Sequence, residues 1–288
     1  MTSPSTSTPA LRLADGVLVI NLDHRPERLA HFAEIARQTS VLQGWQRIPA
    51  VNGVDLPGYG QRPWFRNGKR DKCWAGRAGC VLSHRSAIIH ARNQGWKSVL
   101  ILEDDVNFGA DFLQLSTALE ERLRDLEARW QVCYLGYTKT VEPSRKVADL
   151  VVGHALHEVF GCYTTHAYLL KNDTFDWLLD RLPDADTIWS WLASHRAIDR
   201  WYARNLAPRF TVTAVSPGIV GQYSDFSDIG QHDPGILREQ EFCAARAGAR
   251  IPISNAAYQR HRRLHALRCR WLGFTDLLRS RIKLWKGF

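Results

Sequence analysis

The sequence predicts an α/β protein in which a central, mostly parallel sheet is flanked by helices. Three observations predict it. Residues 99–106 read VLILEDDV, a wholly apolar run that ends abruptly in three carboxylates. Residues 16–22 read GVLVINL, and Pro26 with an amphipathic stretch follows them. Further short apolar runs alternate with stretches of helical periodicity along the chain. Such runs, too short for helices, read as strands buried on both faces.

The acids Glu103, Asp104 and Asp105 close the strand that begins at residue 99. Adjacent carboxylates repel one another, so they are exposed or a cation neutralises them. The carboxyl ends of strands are where open α/β sheets bind ligands. Carboxylate oxygens suit Mg²⁺ or Mn²⁺, ions that usually hold phosphate oxygens. A solvated acidic turn is the plainer reading of the same residues.

The 288 residues, 45% of them apolar with Trp 11, can bury a substantial core in one large domain or two small ones. Residues 1–9 are Ser/Thr/Pro-rich and uncharged, resemble neither a signal nor a transit peptide, and belong to an expected disordered stretch, 1–14. No apolar run approaches the roughly 20 residues of a membrane span. The six cysteines lack C-x-x-C spacing and read as reduced thiols of a cytoplasmic protein. Residues 259–288 carry nine Arg/Lys against Asp276 alone, so nearly all of the formal +9 sits in this tail. A basic tail suits nucleic acid or an anionic membrane surface.

In order, residues 16–22 are the first strand, and Pro26 suits the first position of a helix carrying Leu29, Phe32, Ala33 and Ala36. Arg25 and Arg28 at this junction are candidate phosphate donors, or ordinary surface arginines. Residues 45–51 are a second strand, closed by Asn52-Gly53. Residues 55–72 form a long polar loop, a candidate binding loop in which Trp64 and Phe65 stack on a ligand or pin the loop. Residues 75–95 are a helix with Val81, Leu82, Ile88 and Ile89 on one face. Gly76 and Gly79 would admit close approach of a ligand to its backbone. Ser83-His84 lacks the strained turn and third partner of a hydrolase.

Phe112, Leu115, Leu119, Leu123 and Leu126 mark the next helix, and 131–135 a strand. Residues 136–149 read as a polar loop, 159–170 as one or two strands, and 174–182 as a short helix. Residues 186–205 read as a helix with Ile188, Trp191, Leu192, His195, Asp199 and Tyr202 on one face. A carboxylate in such a stripe is satisfied by His195 or the backbone, caps a second helix from Arg200, or faces a cavity as a base. Residues 209–215 are a strand, and 217–235 a polar loop with Gln222, Asp225, Ser227, Asp228 and His232. From 256 the arginines interleave with leucines and tryptophans, as in an interfacial helix. Packed helices with a solvated basic face are the plainer reading.

The blocks VINLDHRPER, IPAVNGVDL, AGCVLSH, VLILEDDV, THAYLL, AID and Gln222…Ser227-Asp228-Ile229 resemble, in this order, glycosyltransferase family 25. That family includes bacterial lipopolysaccharide and lipooligosaccharide β-glycosyltransferases and is similar to collagen galactosyltransferase domains. The resemblance covers about residues 17–229. It implies a GT-A fold over 15–235; the basic amphipathic helical tail, expected over 236–288 from its own pattern of residues, lies outside the resemblance. The resemblance implies transfer of galactose or glucose from a UDP-sugar to a glycan hydroxyl, with inversion.

By this resemblance Asn21, Leu22, Arg25 and Arg28 line the nucleotide side, and Val51, Asn52 and Gly53 sit near the uridine. Ser83 and His84 flank the donor, with Asp104 and Gln222 also on the substrate side. Glu103 and Asp105 stand in for the metal-binding DxD pair and imply Mn²⁺ or Mg²⁺. Asp199 is the implied general base and Asp228 its rival; His232 is a further candidate ligand. The expected partners are the UDP-sugar, a glycan or glycolipid acceptor and an anionic membrane surface at the inner face of the cytoplasmic membrane, with no nucleic acid. Two other readings stay open: another metal-dependent enzyme of nucleotides or phosphates, and a non-catalytic membrane-associated binding protein with a degenerate transferase domain.

Overall fold

The structure is a computed structural model that describes residues 14–38, 42, 44–65, 69–126, 129–223 and 253–285. Strand β1 (Gly16–Asn21) is buried along its whole length. Pro26 opens α1 (Pro26–Arg37), as expected, because its fixed φ suits the first turn and an N–H there would lack a helical partner. Strands β2 (Gln46–Pro49) and β3 (Ser98–Glu103) flank β1, both parallel to it. They are joined through α2 (Lys69–Asn93), and Gly95 at φ 68 turns the chain after it. This helix begins six residues before the expected 75, because residues 69–74 (KRDKCW) carry no apolar periodicity to announce it.

Strand β4 (Val106–Phe108), α3 (Phe112–Asp125) and β5 (Val132–Gly136) follow, then β6 (Lys139–Thr140) and β7 (Arg145–Asp149) inside the stretch expected to be a loop. Next come β8 (Ala155–Val159), β9 (Cys162–Tyr163), β10 (Ala167–Lys171) and α4 (Phe175–Leu179). The helix expected over 186–205 is two helices, α5 (Ile188–His195) and α6 (Ile198–Asn205). The break falls at Arg196, whose φ of 70 no helix accommodates. Asp199 therefore lies in the first turn of a new helix and not one turn along from His195. Strands β11 (Val212–Ser216) and β12 (Val220–Gln222) and the long α7 (Asn255–Trp285) complete the described chain.

The main sheet has eight strands in the order β2-β1-β3-β10-β5-β11-β8-β7. It is mixed, which corrects the expectation of a mostly parallel sheet. Strand β10 runs antiparallel between β3 and β5, and β8 antiparallel between β11 and β7. Strand direction was hidden because one apolar cluster with α2, α4, α5 and α6 covers one face, and another with α1 and α3 covers the other. A strand buried on both faces is apolar throughout, whichever way it runs.

Candidate functional site

The parallel strands β2, β1 and β3 end at one edge of the sheet, where a cleft of about 370 Å³ opens. Leu22 and His24 enter it after β1, and Val51, Asn52 and Gly53 after β2. Glu103, Asp104 and Asp105 enter it after β3, Arg28 from α1, and Lys72, Gly76, Cys80, Ser83 and His84 from α2. Ten of the sequence-predicted site residues thus line one cavity. Asn21, Arg25, Asp199 and Gln222 are not among the lining residues. Arg25 pairs with Glu27 at 3.2 Å. Asp225, Ser227, Asp228 and His232 lie outside the described residues.

The three acids face three different environments. Glu103 lies 3.4 Å from His84 Nε2, and the Thr165 hydroxyl donates to it at 3.1 Å. Burial pushes its pKa up, but the bond and charge of His84, with His166 and Thr165, outweigh this and hold it below the ordinary value. Asp104 turns the other way, accepting Asn21 Nδ2 at 2.7 Å and Arg28 Nη1 at 3.1 Å. It latches the acidic turn to β1 and α1. Asn21 is itself held by Arg47, whose Nε donates to its side-chain oxygen at 2.9 Å.

Asp105 has the least compensation. Gln222 Nε2 donates to it at 3.1 Å, and Arg28 stands 3.9 Å away. Burial and then the charge of Glu103 push its pKa up to about 7, against the pull of Arg28. Gln222 arrives because β12 pairs antiparallel with β4 and folds residues 220–223 over the acidic turn.

Helix α2 backs the cleft through close backbone contact. Ser83 Oγ accepts the Val51 N–H at 2.8 Å and donates to the Gly79 carbonyl at 2.6 Å. A Cβ on Gly79 would drive into the Val51 carbonyl oxygen, and one on Gly53 into the Ala75 carbonyl. Gly76 and Gly79 both line the cleft, as expected, and Gly79 in addition admits the close approach of the Val51 backbone. Gly79→Ala is expected to destabilise the fold by roughly 1–3 kcal/mol, because backbone on both sides cannot yield as a side chain would. Urea unfolding measures it; an unchanged midpoint would contradict the close approach. Phe65 pins its loop, its ring edge-on to Trp189 at 4.7 Å, and Trp64 lines a different cavity.

Asp199 accepts the Thr164 N–H at 3.2 Å and the Arg200 N–H at 2.7 Å. Thr164 has φ 68, which a β-branched residue rarely adopts, so Asp199 helps hold a strained turn. The next residue in that turn, Thr165, donates to Glu103. Burial and the charge of Glu103, with that of Asp199 behind them, push the Cys80 thiol well up. Asp199 is half-buried and close enough to the cleft for its charge to reach Cys80, which lines it.

Two donor sets meet here. Cys80, His84 and Glu103 bring their ligand atoms within 4.8 Å of one another. Burial pushes the thiol pKa up, so an ion there would have to displace its proton, and His84 Nδ1 is engaged with the Tyr168 hydroxyl at 2.9 Å, which leaves Nε2 toward Glu103. Glu103 and Asp105 offer hard oxygens, the ligand type that Mg²⁺ or Mn²⁺ takes, and are the second set that could hold an ion. Sequence reasoning missed His24, Lys72, Cys80 and Thr165. Cys80 was within reach, since it stands four residues before His84 on a helix. Thr165 and Arg47 act across long sequence separations and leave no local signal.

The geometry defines an α/β protein whose polar cleft gathers acids and bases at the carboxyl ends of parallel strands. The chain belongs to glycosyltransferase family 25: the model of that family, Glycosyltransferase family 25 (LPS biosynthesis protein), matches residues 14–183. The human protein named "Inactive glycosyltransferase 25 family member 3" is 36% identical over 177 residues, covering 54% of this chain and 27% of that protein. "Glycosyltransferase 25 family member" of Drosophila melanogaster is 27% identical over 148 residues, covering 47% and 23%. "Procollagen galactosyltransferase 2" of Mus musculus is 30% identical over 118 residues, covering 40% and 17%. The chain thus spans about a quarter of the length of the curated relatives it matches. Among solved structures, A197 from STIV aligns with 83% of this chain and 100% of its own at 12% identity, with a TM-score of 0.37 that bears no argument. Among the described residues no helix is long and apolar enough to cross a membrane.

Proposed function

We propose that the chain is a GT-A-type glycosyltransferase, dependent on Mn²⁺ or Mg²⁺, that moves galactose or glucose from a UDP-sugar to a hydroxyl of a glycan acceptor. The acceptor class is lipopolysaccharide or another cell-surface glycoconjugate. One observation carries this reading: a single cleft holds Glu103 and Asp105 beside His24, Arg28 and Lys72, next to the Asn52-Gly53 turn. Acids that suit a cation and bases that suit a diphosphate are what such a donor requires. Asp105 and Glu103 would hold the ion, which when bound neutralises a diphosphate leaving group.

The remaining work belongs to the chain itself. Arg28, held in place by Asp104, adds fixed positive potential where the diphosphate charge develops. The bond from the anomeric carbon to the diphosphate oxygen breaks as the bond to the acceptor oxygen forms on the opposite face. Asp199 takes the acceptor's proton, so one displacement inverts the centre. A cytoplasmic site of action suits the free thiols of Cys80, Cys133, Cys162 and Cys269.

A second reading has its own support. The human relative is named inactive, and Glu103 already bonds His84 and Thr165. On that reading the cleft binds a nucleotide sugar without transferring it. A panel of UDP-sugars with and without Mn²⁺, followed by melting temperature and by UDP release in the presence of glycan acceptors, separates the two. Metal-dependent stabilisation by one UDP-sugar above UDP alone, with UDP release, is the expected result. Stabilisation without release on any acceptor favours the binding protein, and no response to any nucleotide overturns both.

A further inference from the structure

Helix α7 has two unlike faces. The inner face packs on the domain: Tyr258 is buried, Arg262 Nε donates to the Ala207 carbonyl at 2.7 Å, and His265 stacks on Phe160 at 4.8 Å. On the same face Asp276 pairs with Arg204 of α6 at 2.6 Å. The outer face carries Leu264, Leu267, Trp271, Leu278, Ile282 and Trp285 at spacings of three, four and seven residues, which align on one side of a helix. These side chains are solvent-facing, with Trp271 66% and Trp285 85% exposed. Arg263, Arg270 and Arg281 flank the stripe on one side, Arg268 and Arg279 on the other. The one acid of α7, Asp276, faces inward, so the outer face holds no carboxylate.

We infer that the outer face of α7 is a membrane-surface site that lies in the plane of an anionic phospholipid bilayer, apolar stripe in the acyl boundary and arginines at the phosphates. A contiguous exposed apolar stripe marks an interaction surface. Arginines on both flanks keep their guanidinium groups in the headgroup layer while their stems cover apolar surface. A second copy of this face fits poorly, because arginine would meet arginine with no acid between them. A nucleic acid would leave the tryptophans and leucines without an apolar partner. The inference stands on α7 and does not rest on the chemistry of the cleft.

Co-sedimentation of the full chain with phosphatidylcholine vesicles, with and without phosphatidylglycerol, at low and high salt, tests it. Binding is expected only to the phosphatidylglycerol vesicles and is weakened by salt. Arg263→Gln with Arg270→Gln should lower partitioning by roughly thirtyfold, from two lost headgroup contacts. Trp271→Gln with Leu278→Gln should lower it by roughly tenfold or more at either salt. Both pairs are exposed and should leave the melting temperature unchanged, and the salt response of the unaltered chain needs no variant. Absence of vesicle binding overturns the inference, as does equal binding to phosphatidylcholine alone. A concentration-dependent dimer that Trp271→Gln with Leu278→Gln breaks, without vesicle binding, assigns the face to a second copy instead.

Discussion

Asp105→Asn is expected to abolish metal-stimulated turnover, by roughly a hundredfold or more, while stabilising the metal-free protein near neutral pH. Both effects have one source. Burial and Glu103 hold the Asp105 carboxyl near 7, against an ordinary value below about 4 in the unfolded chain. Between those values the folded protein keeps a proton that the unfolded chain has lost. Metal-free stability therefore falls as pH rises from about 4 to about 7, then levels off. Asn cannot ionise, so the variant should show no such fall. A divalent cation acts in the opposite sense, since it requires the ionised carboxylate: Mn²⁺ should raise the melting temperature more as pH climbs through about 7. Scanning calorimetry across this range, with and without Mn²⁺, reads all of these at once. An Asp105→Asn protein that keeps its full Mn²⁺ shift would place the ion elsewhere, with Cys80, His84 and Glu103 the next set.

Asp199→Asn is expected to lower kcat by roughly 10²–10⁴ while KM for the UDP-sugar stays within about twofold. The split matters, because Asp199 also has a structural task. It accepts the Thr164 and Arg200 N–H groups, and an amide can accept only at its one oxygen. A purely structural loss would loosen the Thr164 turn, disturb the Thr165 bond to Glu103, and so raise KM and lower the melting temperature together. A fall in kcat alone, with the fold intact, marks a base. Normal turnover in this variant would pass that role to Asp228.

Much of the architecture was legible residue by residue. The apolar run of 16–22, Pro26 at the helix start and the acids after residue 102 all express local burial and local charge, and each stands where it was expected. The acidic turn and the Asn52-Gly53 turn could be placed in one site because both follow strands parallel to β1. Strands β6 and β7 were not legible: β7 is half-exposed and polar, so no apolar run marks it. The break between α5 and α6 was hidden for another reason. Arg196 takes a positive φ without being Gly or Asn, and its sequence context carries no warning of it.

The sequence by itself determined which segments are buried, which end in acids, and that α7 would be basic and amphipathic, because these properties depend on each residue and its near neighbours. Only the tertiary structure decided the separate fates of the three acids. Glu103 meets His84 and Thr165, Asp104 meets Asn21 and Arg28, and Asp105 meets a glutamine 117 residues away. A carboxylate's charge is set by the donors and dipoles within a few ångströms of it. Those come from strands and helices far apart in the chain, and only folding brings them together.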